Sequence, residues 1–392
     1  MVLSYLWGMR KISADWVYTL SGAPLKNGVI VINDKNEVVD VLPGNEPSLD
    51  VEFFSGIICP GFINAHCHLE LSHLRNKLPQ RTGLVGFIQN VQQFREAKEE
   101  EILKAIEAAE DEMIQNGIVG VGDISNSSYT FDQKRKQRVN YHTFIEVFGF
   151  NPANAESIYN RAEELLAQAP QIASITPHAP YSVSEKLFEL IDNTQLLSIH
   201  NQESKEENAF YINKTGDFLK LYQGFNLDIS FFNPSGNNSL TTYFNWMGNG
   251  RKLLVHNTFT AEDDVDYVEA MGENFWCLCP NANLYIENGL PDISMFVKKE
   301  LKLVLGTDSL ASNTQLSILE EMKTISRHFS SIDLELMLIW TCKNGAELFG
   351  WDQLGTIEKG KIPGLNLIKN YTYDAKTGKL LLTGQSTVSK IC

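Results

Sequence analysis

No stretch of this 392-residue chain approaches the 18 or more consecutive apolar residues of a membrane-spanning helix, so no membrane partner is expected. Basic residues are scarce beside acidic ones, 33 Lys and Arg against 48 Asp and Glu, for a formal net charge of −15. A nucleic-acid surface needs a cationic surplus. The one short basic cluster, Lys134-Arg135-Lys136 with Arg138, reads as a solvated loop. The partner is therefore expected to be a small molecule that need not be anionic. Met1 to Leu20 lacks a basic segment followed by an apolar one, so no secretory leader is expected. Cysteine is sparse as well. The six cysteines sit mostly inside apolar strand-like or helix-like runs, which suits reduced thiols in a cytoplasmic protein better than a disulfide framework. Short-period repeats and low-complexity segments are absent, leaving a globular chain long enough for one large domain and one small one.

What is present falls into three stretches. Residues 1 to about 58 read as short strands with turns. Val29-Ile30-Val31-Ile32 and Val38-Val39-Asp40-Val41, separated by Asn33-Asp34, form a hairpin pattern. From Pro60 the rhythm changes to strands alternating with helices. Leu84 to Asn116 has helical spacing closed by Gly117, Thr260 with Asp263 reads as a capping box, and Asp333 to Phe349 reads as helix. Counted from Ile57, eight strands are expected, each followed by a helical or loop crossover. Alternation of that length implies an α/β chain with a (β/α)8 TIM-like barrel. Turns and strands return near Gly355, so the two ends are expected to build one small β-sandwich domain. The domain reading is 1–58 plus 355–392 for that domain and 59–354 for the barrel.

The polar residues choose one end of the expected strands. His66 and His68 close the first strand, and their i, i+2 spacing puts both imidazoles on one face of an extended segment. A His-x-His pair by itself is equally a polar strand end. His178, His200, His256 and Asp308 end four further strands, and Glu203 follows His200 by three residues. Six of the eight histidines, counting His73, thus lie at or just beyond strand C-termini, where such barrels carry their reacting groups. The other two, His142 and His328, read as structural. His66, His68, His200 and Asp308 offer three neutral nitrogens and a carboxylate to one divalent metal, zinc first and iron as the alternative. His256 is left to orient a water or share its proton. His178, Glu70 and His73 are the candidate substrate contacts. Cys277 and Cys279, at alternate positions of a buried run, are expected to be packing residues.

At these residues the chain resembles the metal-dependent amidohydrolase superfamily, in its branch of cytosine, guanine and adenosine-type deaminases and triazine chlorohydrolases. The motifs are Pro-Gly-Phe-Ile-Asn-Ala-His-Cys-His at 60–68, His-Ala-Pro-Tyr-Ser-Val-Ser at 178–184, His-Asn-Gln-Glu at 200–203, Val-His-Asn-Thr at 255–258 and Gly-Thr-Asp-Ser-Leu-Ala-Ser-Asn at 306–313. The resemblance implies a mononuclear site, because His178 stands where dinuclear relatives carry a carboxylated lysine. One departure is Asn281-Ala282-Asn283, which replaces the usual Ser-Asn pair after Cys-Pro and leaves the substrate contacts on that side open. The other zinc-deaminase pattern, His-x-Glu followed by Pro-Cys-x-x-Cys, is excluded, since Cys277-Leu278-Cys279-Pro280 has the wrong order.

The function expected on this basis is hydrolytic deamination of an amino-substituted heteroaromatic ring, a purine or nucleoside such as an adenosine or aminofutalosine derivative. Glu203 would protonate the ring nitrogen, while His256 and Asp308 handle the proton of water. Alternatives are a triazine-type chlorohydrolase or aminohydrolase at the same site and a non-catalytic binding protein on the same fold. A homodimer is compatible with this reading. The aromatic-rich stretch 225–250, with Phe231, Phe232, Tyr243, Phe244 and Trp246, is either a cover for a flat ring or core.

Overall fold

The computed structural model describes residues 9–44 and 50–392; the expectation of no leader falls partly on residues 1–8, outside the described residues. In chain order the strands are β1 (Arg10–Val17), β2 (Leu25–Lys26), β3 (Val29–Ile32), β4 (Val38–Leu42), β5 (Val51–Pro60), β6 (Phe62–Cys67), β7 (Ile118–Ser125), β8 (Asn140–Val147) and β9 (Ile172–Pro177). They continue as β10 (Leu197–Asn201), β11 (Lys252–His256), β12 (Asn274–Leu278), β13 (Leu303–Leu305), β14 (Leu365–Lys369), β15 (Thr372–Asp374), β16 (Lys379–Leu381) and β17 (Thr387–Lys390). Chain contacts divide the protein into two compact units. One falls within Met1–Asn64, Asp111–Gly120 and Ser317–Cys392, the other within Ala65–Glu110 and Val121–Leu316.

The first unit holds a seven-stranded sheet of order β17-β14-β5-β1-β3-β4, with β2 on β1, so strands from both ends of the chain share one sheet. The expected hairpin is β3 with β4, paired antiparallel. Ile12, Ala14, Ile30, Ile58, Leu365 and Leu367 are buried together as its core. The run Ile57-Ile58-Cys59 belongs here: it pairs antiparallel with β14, Ile57 opposite Ile368 and Ile58 opposite Leu367. This corrects the start of the expected strand series, because the strand bearing His66 is a separate one that starts at Phe62 rather than Ile57. A buried apolar run looks the same whichever sheet it joins. The switch occurs at Gly61, where a Cβ would lie 2.9 Å from Pro363 O, so only glycine fits between the strands.

Strands β6 to β13 number the expected eight and form two four-stranded sheets, β6-β7-β8-β9 and β10-β11-β12-β13. The β8–β9 pair and all pairs from β10 to β13 run parallel. Nearly every residue in these strands is buried, as in parallel sheets covered on both faces.

Between them the helices depart from the sequence pattern in four places. Leu84 to Asn116 is two helices, Gly83–Phe94 and Glu99–Gln115, and Gly117 ends the second with φ +76°. Asp333 to Phe349 is broken by a π-helical turn, Ile339–Asn344, between Leu334–Leu338 and Gly345–Phe349. The expected Thr260/Asp263 cap is shifted: the helix is Glu262–Glu269, and Asp264 Oδ2 accepts the Ala261 N–H at 3.0 Å. The basic cluster is solvated only in part: Arg135, Lys136 and Arg138 are exposed, but Lys134 lies in the helix Phe131–Arg135 with no exposed surface.

Candidate active site

The site is assembled at the C-terminal ends of the strands in the second unit. His66 and His68 follow one another along the end of β6, separated by buried Cys67. The turn after β13 brings Asp308 against them, because Thr307 N–H and Asp308 N–H both donate to His66 O at 3.1 Å. Gly306 permits the approach: a Cβ there would lie 2.8 Å from His66 Cβ and 2.9 Å from His66 O. Asn313 Nδ2 holds the turn through Thr307 O at 2.9 Å. Both Asp308, φ +55°, and His256, φ +74°, occupy the left-handed region that side chains rarely adopt. Such strain is kept where the surroundings over-determine it, and both residues line the same cavity.

Three imidazole nitrogens face one another. His68 Nε2 lies 3.1 Å from His66 Nε2 and 3.2 Å from His200 Nε2. Asp308 Oδ1 lies 3.4 Å from His68 Nε2 and 3.6 Å from His66 Nε2. Ring lone pairs repel at such distances unless a cation lies among them. Tetrahedral zinc with Zn–N of about 2.0–2.1 Å separates its ligands by about 3.3–3.4 Å, so the donor set fits a divalent ion. Outer contacts fix two of these four residues. His200 Nδ1–H donates to His178 O at 2.8 Å, which leaves Nε2 unprotonated, and Ser312 Oγ donates to Asp308 Oδ2 at 2.6 Å, which leaves Oδ1 facing the nitrogens.

Burial dominates the protonation of the cluster. It pushes His68 down to about 3, with the charge of His66 adding to the effect, and His178 down to about 4. His200 is likewise held well below its ordinary value by burial and then by His178. Neutral imidazole is the form that binds a metal. For Asp308 burial alone would raise the pKa, but the hydrogen bond from His66 and the charges of His68 and His256 outweigh it and keep the carboxylate ionised.

Beside the cluster, Glu203 Oε1 lies 3.6 Å from His256 Nε2. Burial first, then repulsion from Asp308 and Glu287, pushes Glu203 well up, towards its protonated form. His256 Nδ1 donates to Asn283 Oδ1 at 2.9 Å, so the ring presents Nε2 to the site. Asn283, which contacts His256 here, is a residue the sequence reading did not assign. Its position in the departing Asn281-Ala282-Asn283 stretch was the only signal.

A cavity of about 440 Å³ opens over this end, and His68, His178, His200, Glu203, His256 and Asp308 all line it. Of the three candidate substrate contacts, the cavity wall includes His178 but not Glu70 or His73. Glu70 stands behind the wall, where its Oε2 accepts Asn126 N–H at 3.1 Å and Ser127 Oγ–H at 2.8 Å. The His73 ring lies between backbone carbonyls, 3.2 Å from Glu70 O and 3.0 Å from Arg95 O, and has no ring nitrogen left for a ligand. Both were placed near the site by sequence distance, yet the 3-10 turn Leu69–Leu74 points them elsewhere. The 225–250 stretch divides. Phe225 and Leu227 line the cavity, while Tyr243 and Phe244 are buried core, Tyr243 donating its hydroxyl to Asn201 Oδ1 at 2.8 Å. Cys277 and Cys279 are fully buried free thiols, as expected. His142 is structural, its Nε2 2.9 Å from Ser174 Oγ.

Known proteins resemble this chain over most of its length. An adenosine deaminase of Helicobacter pylori is 27% identical over 336 residues, covering 82% of this chain and 81% of that protein. The crystal structure of Helicobacter pylori aminofutalosine deaminase in complex with methylthio-coformycin superposes with a TM-score of 0.80 at 24% identity, covering 94% of each chain. A zinc-bound adenosine deaminase from Xanthomonas campestris gives a TM-score of 0.71 at 19% identity, over 91% of this chain and 84% of that one. At these identities the structural likeness establishes an α/β fold with parallel sheets, like that of these structures. Residues 57–384, well over half of the chain, match the model described as the amidohydrolase family, and the chain belongs to that family.

Proposed function

We propose that this protein hydrolytically deaminates the amino-substituted ring of a purine nucleoside, releasing ammonia. The observation that carries the reading is Glu203: a buried carboxyl biased towards its protonated form, 3.6 Å from His256 Nε2 and beside a three-histidine, one-aspartate cluster. Water attacking an aromatic amidine would leave charge in the ring unless a ring nitrogen is protonated. A protonated carboxyl at that place removes the charge, a step worth roughly 10²–10⁴ in rate. The named relatives, an adenosine deaminase and an aminofutalosine deaminase, support the purine nucleoside class.

The metal centre is His66, His68, His200 and Asp308, with zinc favoured by three nitrogens and one oxygen. When bound, the ion supplies Lewis acidity that makes water nucleophilic at neutral pH. His256 Nε2 and Asp308 Oδ1 receive and steer the proton of the attacking water. Glu203 donates to the ring nitrogen, and Asp308 returns a proton to the departing amine. His178, whose Nδ1 is held by Ser182 Oγ at 2.6 Å, turns its Nε2 edge to the cavity as a substrate contact.

The framework follows the same reading. A closed (β/α)8 barrel over 59–354 is supported by the parallel bridge between Cys67 and Asp308 and by His200 N–H donating to His178 O at 2.9 Å, which link the two four-stranded sheets. A composite β-domain of 1–58 and 355–392, completed as a small sandwich, is supported by β5 pairing with β14 and by the separate β15–β16 ribbon. Six free cysteines agree with a reducing, cytoplasmic setting, and no described helix is long and apolar enough to cross a membrane.

The test is an ammonia-release screen over adenine nucleosides, guanine, cytosine and a chlorotriazine, with metal quantified in the same sample. An adenine nucleoside is expected to reach a kcat/KM of at least about 10⁴ M⁻¹s⁻¹. Chloride release from the triazine would favour the chlorohydrolase alternative, and metal-loaded protein that releases neither product would point to a binding protein.

A further inference from the structure

Glu146 closes β8 on the cavity wall with 8% of its surface exposed. Its Oε2 accepts Asn126 Nδ2–H at 3.0 Å, but its buried Oε1 has no hydrogen-bond partner among the described residues. A neighbouring ring nitrogen, His200 Nδ1, is 3.7 Å away, and its proton is committed to His178 O at 2.8 Å. A buried acceptor left in this state carries an unrecovered desolvation cost, which a ligand donor would recover. The carboxyl is also held in place. Asn126 Nδ2 donates again to Glu146 O at 3.1 Å, and Asn126 N–H is anchored on Glu70 Oε2 at 3.1 Å. Glu70 thus positions Asn126, and Asn126 positions Glu146.

The kind of donor follows from the surroundings. Arg95 lines the same wall and sets a fixed positive charge beside the cavity. An ammonium donor is repelled there, whereas a neutral hydroxyl is not. One carboxylate oxygen with two lone pairs accepts two adjacent hydroxyls, as acidic residues do with ribose diols. Phe148 and Phe150, next along the chain, add an apolar floor to the same wall.

We propose that Glu146 recognises the vicinal hydroxyls of the substrate's sugar and so selects nucleosides over free bases. The inference rests on the nucleoside deaminase reading of this site, and its test separates the two. Adenosine and 2′,3′-dideoxyadenosine are compared as substrates, and purine riboside and its dideoxy analogue as ligands by calorimetry, for wild type, Glu146→Gln and Glu146→Ala, each with metal content measured. Wild type is expected to favour the diol by at least about tenfold in both kcat/KM and affinity. Glu146→Ala is expected to reduce that ratio below about threefold with metal retained, and Glu146→Gln, which keeps an acceptor oxygen, to fall between. An unchanged ratio in Glu146→Ala overturns the proposal, as does loss of metal with equal losses on both substrates, since Glu146 would then serve His200. Diol-dependent binding without ammonia release would overturn the deaminase reading and keep this one; deamination that ignores the diol would do the reverse, and binding of neither ligand would overturn both.

Discussion

Lys134 Nζ lies 2.6 Å from Asp123 Oδ2, and neither side chain has any exposed surface. The lysine also donates to Ser125 Oγ at 3.1 Å and Thr143 Oγ1 at 2.9 Å, while Asp123 Oδ1 accepts the N–H of Leu69, next to His68, at 2.8 Å. Desolvating both charges is expensive, so the pair is tolerable only while both partners are present. Lys134→Met is expected to cost about 3–5 kcal/mol in denaturant unfolding. Lys134→Met with Asp123→Leu removes the stranded carboxylate and is expected to cost less than the single change, with the unpaired Leu69 N–H as the residual loss. A double variant less stable than the single one would show that charge compensation is not what holds this pair.

The same pair marks a limit of reading the chain. Lys134 leads directly into Arg135 and Lys136, and three consecutive cations look solvated. A helix turn separates neighbours by about 100°, so one of three can face inward while the others stay in water. The candidate ligand cluster was legible for the opposite reason: such a set is chemically specific, and His66, His68, His200 and Asp308 each lie at or just beyond a strand end. Strand existence was also legible, since buried parallel strands are continuous apolar runs. Sheet membership was not, as Ile57 to Cys59 shows, because pairing depends on partners three hundred residues away. Glu146 and Asn283 were missed because single polar residues in apolar surroundings carry no periodic signal; only their position at a strand end or in a departing motif could have singled them out.

Glu203 and His66 should separate cleanly in mutagenesis. Glu203→Gln keeps the shape and loses the transferable proton, so turnover is expected to fall roughly 10²–10⁴-fold while metal content stays near wild type. His66→Ala removes one of the nitrogens that meet at 3.1–3.6 Å, and is expected to lose bound metal as well as activity. Elemental analysis alongside ammonia release checks both. Wild-type turnover in Glu203→Gln would remove it as the proton donor, and full metal occupancy in His66→Ala would remove that histidine from the ligand set.

Asn283 acts through His256. With its Oδ1 accepting from Nδ1 at 2.9 Å and its Nδ2 3.4 Å from His256 O, the amide fixes both tautomer and ring orientation. Asn283→Ala lets the ring take either tautomer and should lower kcat by about 10–100-fold, with little change in KM and with metal retained. Asn283→Asp keeps the acceptor, so it is expected to recover most of the loss and to displace the alkaline or acidic limb of the kcat profile. An unaltered profile in both variants would make Asn283 a packing residue only.

Glu207 offers a pH test outside the proposed ligand set. Burial raises it to about 8, and its Oε1 accepts Gln202 N–H at 3.1 Å and the Ser239 hydroxyl, while Oε2 has no hydrogen-bond partner among the described residues. A carboxyl raised in the folded state contributes fully below its unfolded value near 4.5, and that contribution is lost as pH rises towards 8. Glu207→Gln keeps the Oε1 acceptor and cannot ionise. The variant should therefore resemble wild type near pH 5 and gain on it steadily up to pH 8, by at most about 1.4 kcal/mol per pH unit. Melting curves of the two proteins across that range read the gap directly. A gap that stays constant with pH would mean that Glu207 is already ionised in the fold, and that something other than a proton satisfies Oε2.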